Sequence, residues 1–257
     1  MRIGLCISPD GLTDPVEGLE YVEPTIAGLL CPRESDEAFE AILAKARAAS
    51  VRPEAANCFF PGDLKNTGPD VDAAALDAWV ETVCRRAAAV GAEIIVFGSG
   101  GSRAVPEGFD RGRAAEQLVD NMKRYGPIAA GHGVTIALEP LNERDCNIVT
   151  SVAEGAELVR AADHPNIRLL IDTYHMAVDG DPVDSIGQAE SLVAHAHCAE
   201  GDGRGPLGAV GEDHRPYFRA LQDIGYDGRI SLECTWRDFS AQIGPAVVEL
   251  RKQWETA

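Results

Sequence analysis

The chain has 257 residues, 45% hydrophobic and 25% charged, which is long enough for one large core and excludes disorder as the dominant state. Lys+Arg number 23 and Asp+Glu 41, so the net charge of −18 repels polyanions and disfavours a duplex-binding role. The 26 Gly and 15 Pro show no triplet period, which excludes a collagen-like fibre, and no apolar run reaches the ~18–20 residues of a membrane span.

Short β-rich runs alternate with longer helical ones. Strands are predicted over 3–8, 21–26, 51–60, 93–98, 134–140, 167–172, 192–198 and 229–234. Several are apolar without alternation, as in Ile94-Ile95-Val96-Phe97, the pattern of a parallel strand buried on both faces. Helices are predicted over 36–49, 73–90, 113–130, 151–162, 183–191, 215–224 and 241–254. Leu76, Val80, Val83 and Ala87 form one stripe closed by Gly91, and Ser151 with Glu154 makes a capping-box pattern. Only about a dozen residues, with Pro9, Gly11, Pro15 and Gly18, separate the first two strands, so the first helix is shortened. The fold class is α/β, a (β/α)8 TIM barrel with a shortened first helix, and residues 1–257 form one domain.

The seven cysteines are odd in number and show no CxxC spacing, which argues against a disulfide framework or a structural zinc cage. Reduced thiols fit a cytoplasmic location. So does a start that runs from Met1 straight into a strand pattern, with no h-region and cleavage site.

Reacting groups of a TIM barrel sit where strands end. Here the later strands end in polar residues: Leu138-Glu139-Pro140, Ile171-Asp172-Thr173, Ala196-His197-Cys198 and Leu232-Glu233-Cys234. Parallel neighbours in register would bring Glu139, Asp172, His197 and Glu233 to one rim. Singly, each reads as a helix cap, a loop residue or a core histidine; recurrence on four consecutive strands changes the balance. Three carboxylates that close need a cation, and an oxygen-rich set with one imidazole suits Mn²⁺, Mg²⁺ or Co²⁺, with Zn²⁺ also accommodated. His195, one layer deeper, reads as a supporting residue. Glu23, Asn57, Phe59 and Phe60 line the early strands without being diagnostic. Phe59, Phe60, Trp236 and Phe239 either wall a pocket or pack loops on the barrel. The run 201–208 reads as a lid in preference to a phosphate-binding backbone, since it has no Lys. Gly98-Ser99-Gly100-Gly101-Ser102-Arg103 is a second candidate for anion binding.

These residues resemble the xylose isomerase-like TIM barrels, in the sugar-phosphate isomerase/epimerase branch, with a pattern similar to ketose 3-epimerases and hydroxypyruvate isomerase. The matching runs are Leu138-Glu139-Pro140-Leu141-Asn142, Ile171-Asp172-Thr173-Tyr174-His175-Met176, His195-Ala196-His197 with Glu200 and Arg204, Gly225-Tyr226-Asp227-Gly228, and Leu232-Glu233. The resemblance implies that Glu139, Asp172, His197 and Glu233 ligate a metal, with Glu139 and Glu233 as the acid–base pair. His175 would hold a substrate oxygen, and Arg204 a hydroxyl or carboxylate. Asp145 stands where the epimerases carry Glu, with a shorter arm toward the far part of the substrate. The activity implied is divalent-metal-dependent isomerisation or epimerisation of a sugar or keto-acid, by proton abstraction alpha to a carbonyl through a metal-stabilised cis-enediolate. An inosose-type dehydratase on the same site is the alternative. An endonuclease IV-like phosphodiesterase would need more than the six His present, and a non-catalytic sugar-binding barrel is the remaining rival. The expected partner is a small-molecule substrate, without nucleic acid or membrane; a homo-oligomer is left open.

Overall fold

A computed structural model describes residues 1–7 and 16–257. Its strands are β1 Arg2–Cys6, β2 Tyr21–Glu23, β3 Ala55–Ala56, β4 Ile94–Phe97, β5 Thr135–Leu138, β6 Ile167–Asp172, β7 Val193–Cys198 and β8 Arg229–Leu232. Its helices are α1 Ile26–Leu29, α2 Asp36–Ala48, α3 Ala73–Val90, α4 Gly100–Arg103, α5 Arg111–Gly131, α6 Val152–Ala162, α7 Thr173–Asp179, α8 Ser185–Ala189, α9 Arg215–Asp223 and α10 Phe239–Glu255. The strands pair in parallel in the order β2-β1-β8-β7-β6-β5-β4-β3. Between β2 and β3 the ring is completed by the bridges Val22–Pro53 and Thr25–Asn57 and by the Ile26 N–H on the Asn57 carbonyl at 2.8 Å. This is the expected (β/α)8 barrel.

Both faces of each strand are buried, which explains the unbroken apolar runs. In β4, Ile94 and Val96 pack inside the barrel with Tyr21, Ala55, Ala137 and Leu170, while Ile95 and Phe97 join the larger core beneath the helices. Side-chain caps set the helix starts. Asp72 Oδ1 accepts the Ala74 and Ala75 N–H groups ahead of α3, and Gly91 closes that helix at φ 87°. Ser151 accepts the Glu154 N–H at 3.2 Å, but the Glu154 carboxylate returns to the Thr150 N–H at 2.9 Å, one residue before the capping-box position.

Two expectations change, and a third lies outside the described residues. The third strand keeps two residues of the predicted 51–60, because Pro53 has no N–H to donate and Cys58 turns the chain at φ 57°. Short helices α1, α4 and α7 lie outside the predicted helices, each too brief for a hydrophobic period to register. The shortened first helix falls on the β1–β2 connection, where residues 8–15 lie outside the described residues and 17–18 form a turn.

Candidate metal centre

The register of β6, β7 and β8 builds the site. Asp172 and His197 are direct partners across β6 and β7, and a register shift at Leu169/Leu170 brings them level. Glu139 and Glu233 are the first residues beyond β5 and β8, held by their N–H groups on the carbonyls of Phe97 and Cys198, each at 3.2 Å. One ligating atom from each of Glu139, Asp172, His197 and Glu233 lies within 4.8 Å of all the others. Glu139, Asp172 and His197 are buried, and the Glu233 side chain is a quarter exposed.

Beneath this quartet lies a polar stack. Glu23, fully buried at the end of β2, accepts from Nε2 of His197 at 2.8 Å and Nε2 of His195 at 2.7 Å, and from the Ser231 hydroxyl at 2.6 Å. The Tyr21 hydroxyl lies 2.8 Å from Ser231 Oγ. With the Nε2 proton of His197 given to Glu23, Nδ1 presents a lone pair to Glu139 Oε1 at 3.3 Å and Glu233 Oε2 at 2.9 Å. His197 Nδ1 and Glu139 Oε1 are both buried without a hydrogen-bond partner among the described residues. Acceptor faces acceptor, and a cation is the missing complement. Oxygen and imidazole donors converging from four strands, with the imidazole oriented from behind by a carboxylate, fit a divalent ion.

The pKa shifts express the same demand. Without a metal, burial opposes charge on His197, but Glu23 foremost, with Glu233, raises its pKa well above the usual imidazole value, so a proton on Nδ1 takes the place a cation would hold. Burial pushes the Glu139 carboxyl up, yet the charge that a protonated His197 carries 3.3 Å away outweighs it and holds the group down at about 2. Burial likewise works against ionised Glu23, and the charge of His197 with the hydrogen bonds from His197 and His195 overcomes it, leaving its pKa lowered. Burial lowers the pKa of His195, which sits as a neutral donor to Glu23. Cys6 also comes within ligating range of His197 and Glu233, but burial and then Glu23 raise its thiol pKa well above the ordinary value, so it stays protonated.

His175, on α7, is buried beside the quartet. Its Nδ1 accepts the Asn142 N–H at 3.1 Å and lies 2.7 Å from Asn142 Nδ2, which leaves the proton on Nε2, 3.5 Å from Asp172 Oδ2 and 4.0 Å from Glu139 Oε1. Asp172 serves two structures: Oδ1 caps α7 through the Tyr174 N–H at 2.8 Å, and Oδ2 faces the centre. Asp145, half exposed, accepts from Asn142 Nδ2 at 2.9 Å and so stands behind the Asn142–His175 pair. Arg204 sits at φ 54° and reaches into the centre: its Nη2 donates to Asp172 Oδ2 at 3.1 Å and to Glu233 Oε2, with its guanidinium 4.6 Å from the Tyr174 ring.

The loop after β7 is fastened from within. The Glu200 carboxylate accepts the N–H groups of Gly208, Val210, Gly211 and Glu212, and that of Glu212 accepts Gly201 and Asp202. The amides of Gly201, Asp202 and Gly208 are therefore occupied by the chain's own carboxylates, and the run read as a lid is tied within itself. Phe59 is core, its ring tilted against Phe60 and edge to face with Phe97 and Tyr125. Phe60 also lines a cavity of about 460 Å³ with Cys58, Arg33 and Trp79, while Trp236 and Phe239 pack edge to face with centroids 5.3 Å apart.

Sequence reasoning passed over Glu23 as a site residue and gave Glu200 no role. Glu23 carried the same signal as the later strands, a carboxylate directly after an apolar strand, Tyr21-Val22-Glu23.

Three comparisons bear on the chain as a whole. The sequence model of the xylose isomerase-like TIM barrel family matches residues 17–255. A D-psicose 3-epimerase of Ruminiclostridium cellulolyticum is 32% identical over 125 residues, covering 46% of this chain and 40% of that protein. The chain thus spans about two-fifths of the length of the curated epimerase. A human protein with a provisional hydroxypyruvate isomerase name is 28% identical over 208 residues, 76% of this chain and 74% of its own. Among solved structures, a D-allulose 3-epimerase from Methylomonas sp. superposes with a TM-score of 0.82 at 22% identity, covering 98% of both chains.

Proposed function

The chain belongs to the xylose isomerase-like TIM barrel family, and from this premise we propose that it is a divalent-metal-dependent isomerase or epimerase of sugars or sugar-like keto compounds. The observation that carries the reading is the buried quartet in which His197 Nδ1 and Glu139 Oε1 face each other as unpartnered acceptors. Glu139, Asp172, His197 and Glu233 would hold Mn²⁺, Mg²⁺ or Co²⁺, and Zn²⁺ uses the same donor types. When bound, such an ion supplies Lewis-acid polarisation of a carbonyl oxygen, which acidifies the neighbouring C–H.

The chain's own residues do the rest. Glu139 and Glu233 come from β5 and β8, and each has a carboxylate oxygen at the centre. One removes the α-proton as a base; the other, as an acid, returns a proton. The His175 Nε2–H, fixed in that tautomer by Asn142, donates to a substrate oxygen at the reacting carbon. Arg204 has Asp172 and Glu233 as acceptors, and a substrate hydroxyl or carboxylate would take their place. Glu23 keeps the His197 ring turned toward the carboxylates.

Return of the proton to the opposite face gives an epimer, and return to the adjacent carbon an isomer. Loss of a β-hydroxyl gives a dehydrated product. Incubation with Mn²⁺ and a panel of keto-sugars, inosose and hydroxypyruvate in D₂O distinguishes these routes. Solvent deuterium at the α-carbon, with an epimer or isomer formed, is expected. Absence of exchange across the panel by protein that holds Mn²⁺ overturns the catalytic reading, and cleavage of abasic-site DNA would replace it with the nuclease. The remaining imidazoles offer that rival little: His132 is paired with Glu81, His164 accepts the Asn166 N–H, and His214 lies on the Ala199 carbonyl.

A further inference from the structure

The glycine-rich run after β4 has the composition of an anion cradle, and the structure shows which anion lies against it. Gly98 faces the carboxylate of Glu139, so closely that a Cβ at position 98 would overlap Oε2. Its backbone is not left-handed; only the missing side chain is used. Five residues on, Arg103 is fully buried and donates to carbonyl oxygens instead of a carboxylate: Nη1 to Phe97 at 2.8 Å and Nη2 to Glu139 at 2.6 Å. One planar guanidinium thus ties the last residue of β4 to the residue that follows β5. Arg103 is itself held in place. Ser99 turns the chain at φ 43°, and its hydroxyl accepts the Phe60 N–H at 2.9 Å. The Ser102 carbonyl accepts the Asn66 N–H at 2.8 Å, and the Arg103 carbonyl accepts the Thr67 hydroxyl at 3.0 Å.

We propose that Gly98 and Arg103 are positioning residues for Glu139, acting as a clamp that fixes where its carboxylate can lie. Arg103 sets the direction in which the backbone at 139 presents its side chain. Gly98 leaves the space that Oε2 of the carboxylate fills. The segment therefore serves the protein's own acid and is not a phosphate site. This rests on the proposed role of Glu139 at the metal centre, but the clamp is a steric statement that can be tested apart from it.

The test is a double-mutant cycle with Gly98→Ala, Glu139→Ala and the pair, read by two measurements. In metal-free protein the melting temperature of G98A should fall by at least about 3 °C, and this loss should vanish in the Glu139→Ala background, where the added methyl meets no carboxylate. A loss of equal size in both backgrounds overturns the clamp. Titration with Mn²⁺ followed by electron paramagnetic resonance gives the second readout. Affinity should weaken about 10–100-fold in G98A and in Arg103→Lys, and G98A should add nothing once Glu139 is alanine. If wild-type protein binds no Mn²⁺, the metal reading fails while the melting cycle still decides the clamp. If wild type binds Mn²⁺ and both single variants bind it equally well, the clamp fails while the metal reading stands.

Discussion

The two ends of the barrel use the same residue types to opposite effect. At the end where strands begin, carboxylates meet guanidinium groups: Arg229 reaches Glu54 and Glu93, each at 2.7 Å, and Arg2 reaches Glu54 at 2.5 Å. At the end where strands finish, Glu139, Asp172 and Glu233 converge on one another, with Arg204 the one guanidinium paired to a carboxylate of this group among the described residues, and with an imidazole whose Nδ1 has no hydrogen-bond partner. The first end is balanced by the chain itself. The second is short of positive charge, and on the function proposed above that deficit is what would bind a cation and move protons. Acidic residues at a barrel rim say little; the presence or absence of matching cations says which rim stabilises and which reacts.

The sharpest way to break this contrast is Glu233→Gln. It should preserve the fold by circular dichroism and lower turnover on an identified substrate by about 10²–10⁴-fold; near-normal turnover would remove Glu233 from the acid–base pair. Next is Glu23→Gln, which leaves the rim intact but loosens the orientation of His197. Mn²⁺ affinity, measured by calorimetry, should fall about 10–100-fold, and an unchanged affinity would reduce Glu23 to core packing.

A smaller effect concerns acid stability of the metal-free protein. Glu139 has its carboxyl at about 2, below the ordinary 4.5, because the charge of a protonated His197 outweighs burial. A group depressed in the folded state contributes stability that is complete above about pH 4.5 and is lost as pH falls toward about 2. Urea midpoints in that window should therefore fall less steeply with acid in Glu139→Gln than in wild type. Equal slopes would show that the group is not held in its charged form. The smallest effect belongs to the opposite end. Glu93→Gln removes a pair whose acid is 64% exposed, and should lower the melting temperature by no more than about 3 °C with turnover unchanged. A loss of turnover there would mean that the two ends are coupled.

Much of the fold was legible because each element carries its own period and punctuation. The stripe of Leu76, Val80, Val83 and Ala87 ending at Gly91 marked α3, and the apolar 94–97 run marked β4. β3 was drawn too long because Val51, Ala55, Phe59 and Phe60 look like strand, whereas Phe59 and Phe60 pack with Phe97 and Tyr125 beyond the strand's end. Glu139, Asp172, His197 and Glu233 stood out because parallel strands place their ends together. Arg204 was read as a substrate contact, but its ion pairs with Asp172 and Glu233 depend on how the loop after β7 folds over the rim.

The sequence by itself determined the alternation of strands and helices, the polar strand ends and the shortage of positive charge. These follow from local periodicity and composition, which any stretch of chain declares alone. Only the tertiary structure decided that Glu23 lies under His197, that Gly98 makes room for Glu139, and that Glu200 occupies the amides of its own loop. Each joins groups whose proximity is created by barrel closure or loop folding, and a hydrogen bond of 3 Å leaves no mark in the order of residues until the chain has folded.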